Sequence, residues 1–184
     1  MGFLRIFADM NVILSGKQID AALEGFADDV VENSGLGVDI AVIGIRSRGE
    51  VLAQRLSKVL SERIGVAVEC GTLDITLYRD DLNDPHGQEQ PRVRATEIGF
   101  DINDKIIILV DDVLYTGRSI RAALDALIDL GRPKAIRLAV LVDRGHRELP
   151  IQADHVGSKV DILRDESIVV NLKEVDGKDQ VIVE

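Results

Sequence analysis

The chain's pattern predicts a doubly wound α/β fold built on a mainly parallel sheet, and three observations carry that prediction. Short aliphatic runs of strand length alternate with stretches of helical periodicity. Three polar segments, "GIRSRG" (44–49), "VDDVLYTGRS" (110–119) and "LVDRGHR" (141–147), each begin where a predicted strand ends, which is where sheets of this class bind ligands. Finally, 184 residues with 46% apolar and 29% charged side chains describe one folded domain with a real core.

Taken in order, Ser15-Gly16-Lys17-Gln18 fits a capping box. A helix should run from there to about Asn33, with Ile19, Leu23, Phe26 and Val30 inward and Gly35 near its stop. "DIAVIGI" reads as a buried strand, and a second helix follows from about Glu50 with Leu52, Leu56, Val59 and Leu60 at helical spacing. "VAVEC" and "TLDITLY" read as two strands. From Arg79 to Gly99 the chain turns polar and holds two prolines, the composition of a long mobile loop or lid. "KIIILVD" is the clearest buried strand. The helix after it, from about Thr116, should bury Ile120, Leu124, Leu127 and Ile128 and end before Gly131. "AIRLAVLVD", "SIVVNL" and "QVIVE" complete the strands. Residues 1–14 stand as an N-terminal extension and 15–184 as a single domain.

Composition excludes several classes. No apolar run approaches the roughly 20 residues that span a bilayer, and Ile6 breaks the myristoylation pattern after Met-Gly. A lone Cys70 excludes an internal disulfide, suits a reducing cytoplasm, and reads as a buried apolar residue. No Cys/His spacing suggests zinc. A net charge of −10 opposes broad nucleic-acid binding, and the absence of Trp leaves few rings to stack on bases.

The chemistry concentrates at Asp111-Asp112. Two adjacent carboxylates at the end of a buried strand repel each other, so something must compensate. The loop beyond them supplies Thr116, Gly117 and Ser119 at a helix start, where unpaired N–H groups favour a phosphate. The carboxylates themselves suit vicinal hydroxyls or water around a metal. Phosphate at one end and diol acceptors at the other describe a cradle for ribose 5-phosphate. The loop matches neither the Walker pattern nor the dinucleotide fingerprint. An ordinary strand-turn-helix with an acidic N-terminus also fits the spacing.

"ILVDDVLYTGRSI" (108–120) resembles the phosphoribosyl pyrophosphate (PRPP) motif of type I phosphoribosyltransferases. Together with "GIRSRG", "LDITLYRDDL" (73–82), "LYTGRSIRAALDALIDLGRP" and "LVDRGHRELPI" (141–151), it resembles the PyrR family. That resemblance implies a parallel-sheet core with a flexible loop and a small hood. It implies uracil phosphoribosyltransferase activity, in which uracil and PRPP give UMP and pyrophosphate, joined to control of pyrimidine-operon genes through leader RNA. Mg²⁺ would enter with PRPP, with Asp111 and Asp112 as its candidate protein ligands.

Residue by residue, the resemblance implies that Asp111 and Asp112 hold the ribose hydroxyls and serve catalysis together with Arg79. Val113, Leu114, Tyr115, Thr116, Gly117, Arg118 and Ser119 would hold the 5′-phosphate. Arg46, Ser47, Arg48 and Gly49 would hold pyrophosphate, Tyr78–Asp81 would open the flexible loop, and Asp143, Arg144 and Gly145 would shape the base pocket. Arg144, His146, Arg147 and Lys159 form a candidate basic patch for RNA. Against it stands the stripe Asp20, Glu24, Asp28 on the first helix, read as an acidic, solvated face. A homo-oligomer, dimer or larger, is expected. An RNA-binding regulator with little catalysis and a purine phosphoribosyltransferase are the competing readings.

Overall fold

The computed structural model describes residues 11–34, 39–80 and 95–184. Five strands form a wholly parallel sheet in the order β3-β2-β4-β5-β6: β2 Ile40–Ile45, β3 Glu69–Leu73, β4 Ile106–Leu114, β5 Ala135–Asp143 and β6 His155–Lys159. Three more, β1 Asn11–Ser15, β7 Ile168–Asn171 and β8 Gln180–Val183, form a separate antiparallel sheet in the order β1-β8-β7, which is the expected hood. Helices α1 Gly16–Ser34, α2 Arg48–Ile64 and α3 Arg118–Leu130 cover the parallel sheet, and the short α4 Lys173–Asp176 joins β7 to β8.

Alternation along β4 shows why helices are needed on both faces. Ile108 and Val110 join the cluster under α1 and α2, while Ile107 and Leu109 join the cluster under α3. Leu52, Leu56 and Leu60 of α2 are fully covered, each worth roughly 1.5–3 kcal/mol of burial. Helix α1 starts where its cap predicts: Ser15 N–H and Oγ both donate to Gln18 Oε1, at 2.9 and 2.8 Å. All four residues predicted to face inward on α1 are buried.

Several expectations need correction. Residues 11–14, read as extension, are strand, paired to β8. The two strands read over 66–78 are one, Glu69–Leu73, after which the chain tightens into a 3₁₀ turn at Thr76–Tyr78. Ile128 is 63% exposed, because the buried face of α3 is carried by Ile120, Leu127 and three alanines, 122, 123 and 126. Cys70 is exposed near the start of the edge strand β3. Most of the predicted lid, residues 81–94, lies outside the described residues, as does Gly35. The end of that segment returns to the sheet edge, where Glu97 and Thr72 exchange main-chain hydrogen bonds at 2.8 and 2.9 Å.

Candidate active site

The strand order reverses between β2 and β4, so the carboxyl ends of these two strands diverge into a crevice. Gly44 pairs with Val110 across that junction. Helix α2 starts almost on top of it: a Cβ on Gly44 would lie 2.2 Å from Gly49 O, and one on Gly49 would lie 2.6 Å from Val110 O. Only glycine at both positions allows the loop after β2 to press its backbone against the end of β4. The peptide bond between Arg46 and Ser47 is cis.

Two adjoining cavities occupy the crevice. One, of about 360 Å³, is lined by Arg46 and Ser47 after β2, by Asp74, Ile75 and Thr76 after β3, and by Asp111 and Asp112. The other, of about 320 Å³, is lined by the run from Val113 to Ile120 together with Asp80 and Glu148. Arg79, Val113 and Ser119 belong to both, so the two form one continuous cleft.

The acidic pair sits within β4 rather than beyond it. Asp111 is 8% exposed, and its Oδ1 accepts the Asp112 N–H at 3.0 Å; Asp112 Oδ1 accepts the Val113 N–H at 2.9 Å. Burial pushes the Asp111 carboxyl well above the ordinary carboxylate range, and the neighbouring Asp112 charge adds to it. Burial also pushes Asp112 up, against the pull of the Val113 N–H, of Asp111 and of the Arg48 guanidinium. Among the described residues no cluster of three or more His, Cys, Asp or Glu could hold a metal ion alone. Two carboxylates that need ligand phosphates to complete a shell are nevertheless what Mg²⁺ commonly uses.

Beyond the pair, Gly117 takes φ +91° as the N-cap of α3, and Thr116 Oγ1 accepts the Arg118 N–H at 3.3 Å. The Thr116 carbonyl accepts N–H groups from Glu148 and Leu149, which seats this turn on the segment after β5. Arg118 lines the second of the two cavities, paired with Glu148 at 2.7 Å and Asp80 at 2.5 Å. Next door, burial alone would push the Asp143 carboxyl up. The Arg147 hydrogen bond at 2.6 Å and the Gly145 N–H at 2.9 Å outweigh that and hold it below the ordinary range. Arg144 is 7% exposed and stacks over the Tyr115 ring at 4.1 Å from its centroid, with His146 at that ring's edge. Asp143, Arg144 and Gly145 share a shallow depression of about 370 Å³ with His146 and Lys159.

Comparison with known proteins decides the family. Residues 10–174 match the model of the phosphoribosyl transferase domain. The chain is 54% identical over 174 residues to the bifunctional protein PyrR of Deinococcus radiodurans, covering 95% of this chain and 94% of that one. It is 51% identical to that of Limosilactobacillus fermentum, over 94% of this chain and 96% of the other. The chain belongs to the PyrR family. A solved hypoxanthine phosphoribosyltransferase of Staphylococcus aureus superposes with a TM-score of 0.67 at 18% identity, over 95% of this chain and 92% of that one. A hypoxanthine-guanine enzyme of Bacillus anthracis gives 0.68 at 19%, over 95% and 98%. At that identity these structures show a shared type I phosphoribosyltransferase fold and nothing about the base.

Within this PyrR-family site, the structure brings together Arg46, Ser47, Arg79, Asp111, Asp112 and the whole run Val113–Ser119. Arg48 and Gly49 do not line the cleft: Gly49 packs its backbone on β4, and Arg48 reaches Asp176 of the hood at 3.1 Å. Of the basic patch, Arg144, His146 and Lys159 line one shallow depression, but most of its charge is engaged within the fold. Arg144 is buried, and Arg147 spends its guanidinium on Asp143 and on the carbonyls of Tyr115, Gly145 and Ile151. His146 meets the Ile162 carbonyl at 2.8 Å, which leaves Lys159 as the exposed cation of the set. Nor is the acidic stripe simply solvated, since Arg63 of α2 pairs with Glu24 and Asp28. Sequence reasoning missed Asp74, Thr76 and Glu148. The first two had a signal, because "LDIT" also begins at a strand's carboxyl end.

Proposed function

We propose that the protein transfers the phosphoribosyl group of PRPP to uracil. The C1′–N1 bond of UMP forms, the C1′–oxygen bond to pyrophosphate breaks, and the N1 proton of uracil is lost. The observation that carries this is the single cleft running from the hydroxyl-lined turn at Thr116–Ser119, past Asp111 and Asp112, to Arg46 and Ser47. Its order of groups suits 5′-phosphate, ribose and pyrophosphate in turn. The choice of uracil rests on the likeness to PyrR relatives over nearly the whole chain.

In this reading the turn before α3 binds the phosphate through Thr116, Ser119 and the helix N-terminal N–H groups. Asp111 and Asp112 accept the ribose hydroxyls and offset the positive charge that grows on the ribose as pyrophosphate departs. Arg46 and Arg79 face the leaving group's negative charge. Mg²⁺ carried in with PRPP would share Asp111 or Asp112 with the substrate oxygens and supply charge neutralisation. Asp143, Arg144 and Gly145 lie where they would border the base.

The family's second role, RNA-level control of pyrimidine genes with UMP as the signal, belongs to the same proposal, as do a cytoplasmic setting and a homo-oligomer. Pairing of the α1 stripe with Arg63 removes part of the charge that would repel RNA. A phosphoribosyl-transfer assay offering uracil, hypoxanthine, guanine and orotate in parallel tests the enzyme. Uracil should turn over fastest, and faster transfer to either purine would overturn the assignment. A gel shift with pyrimidine-operon leader RNA, with and without UMP, tests the regulator.

A further inference from the structure

Asp176 stands on α4 of the hood, outside every group assigned a part in binding above. Its Oδ2 accepts the Leu172 N–H at 2.8 Å, and Leu172 is fully buried, so the carboxylate is fixed to the hood's core. Its Oδ1 takes Arg48 Nη2 at 3.1 Å across 128 residues of sequence. Arg48 directly follows Arg46 and Ser47, which line the cleft, and its Nε is buried without a hydrogen-bond partner. Behind it the Gly49 backbone is pressed onto Val110, so the main chain has no room to retreat. Gly49, the next residue, packs directly on the acidic pair: a Cβ there would lie 3.4 Å from Asp111 Oδ1, and the Arg48 charge is among the influences that lower the Asp112 pKa.

The hood does not need Asp176 to stay docked. Arg55 of α2 binds Glu174 at 2.5 Å and Asp179 at 2.7 Å, and the Asp179 Oδ1 that it meets also accepts the Lys173 N–H at 2.8 Å. Docking and the Arg48 contact are therefore separate features of the same small element. Resting on the transferase reading, we propose that Asp176 is a positioning residue for the reaction: from the hood it holds the Arg48 guanidinium beside Asp112, giving the acidic pair a fixed counter-charge.

The test is a set of variants of the full chain: Asp176→Asn, Asp176→Glu, Arg48→Gln, Asp176→Asn with Arg48→Gln, and Glu174→Gln. Each is assayed for kcat/KM with PRPP at saturating uracil, for PRPP affinity by calorimetry, and for melting temperature. Asp176→Asn should lose about tenfold in kcat/KM, the low end of what outer partners of a charged site cost. Arg48→Gln should lose at least as much, and adding Asp176→Asn to it should change nothing further. Glu174→Gln should keep near-normal kcat/KM, and Asp176→Glu should recover part of the loss. Equal losses in Asp176→Asn and Glu174→Gln would overturn the proposal, as would an Asp176→Asn effect that persists without Arg48; either would show a merely structural hood. Failure of the unaltered chain to use uracil would sink the transferase reading instead. PRPP affinity then decides: a fall in Asp176→Asn that vanishes on the Arg48→Gln background supports the positioning role, and unchanged affinity overturns it.

Discussion

Two neighbouring parallel strands, β4 and β5, bring aspartate to the same end of the sheet, and the fold treats the two endings in opposite ways. In register Leu114 faces Asp143, so the endings share one local environment. Asp143 is met by Arg147 and by the Gly145 N–H, and its carboxyl is held below the usual range. Asp111 and Asp112 are more deeply buried, and among the described residues no cation forms an ion pair with either. A carboxylate satisfied within the fold is doing structural work. A pair that meets no ion-pair partner, and feels only the Arg48 charge at longer range, is left short of compensation, which the ribose and its metal would complete.

The sharpest way to break this contrast is to replace Asp111 and Asp112 together by Asn. Turnover should fall by about a hundredfold, on the order of 3 kcal/mol, while PRPP affinity changes less. Stability should move the other way. The folded state holds the Asp111 proton more tightly than the unfolded chain does, so the group's contribution is greatest at low pH and declines as pH rises through the raised pKa. At pH 7 the double variant should therefore melt at or above the unaltered protein, and the advantage should shrink as pH falls through the raised pKa and be gone by about pH 4. A large drop in melting temperature with near-normal turnover per folded molecule would make the pair structural.

Asp143→Asn should show the opposite sign. Its folded pKa is lowered, so it contributes stability above the unfolded pKa and loses it as pH falls through the folded one. Removing the charge should cost about 1.5–3 kcal/mol at neutral pH, as loss of a hydrogen bond between charged groups does. The deficit should close below about pH 4. Melting curves of both variants across pH read the two signs directly. If Asp143→Asn were stabilising as well, the two strand ends would not differ in kind.

The turn between the endings adds a smaller effect. Ser119→Ala or Thr116→Val should weaken UMP binding about tenfold, one hydrogen bond to a charged phosphate, and leave uridine unaffected. Calorimetry with the two ligands separates them. Equal losses for both would move the phosphate out of this turn.

How much of this was legible in sequence follows from where the information lies. β2, β4 and β5 are buried on both faces, so their aliphatic runs announce them. β6, "HVGSK", is an edge strand with a glycine and three polar residues, placed by its pairing with β5 rather than by its own pattern, and it was not foreseen. Ile128 misled because alanines, small and unremarkable in a hydrophobic count, fill the true inner face of α3. Within the site, contiguous motifs were readable because one loop carries several contacts. Glu148 and Asp176 were not, since each reaches its arginine across 30 and 128 residues of chain and only the fold brings them together.

The smallest expected effect concerns Lys159, the register partner of Asp143 on β6 and a contributor to its lowered pKa. Lys159 is exposed, so solvent screens its charge, whereas Arg147 touches Asp143 directly. Lys159→Gln should therefore change stability by less than about 0.5 kcal/mol, the scale of an exposed pair. The same variant bears on RNA, because Lys159 is the exposed cation left from the basic set. If it meets a phosphate, leader-RNA affinity should weaken about equally across sequences and the salt slope should fall by about 1. A stability loss as large as that of Asp143→Asn would mean that the β6 charge, not the Arg147 contact, holds Asp143. The contrast between the strand ends would then rest on long-range charge rather than on a built ion pair.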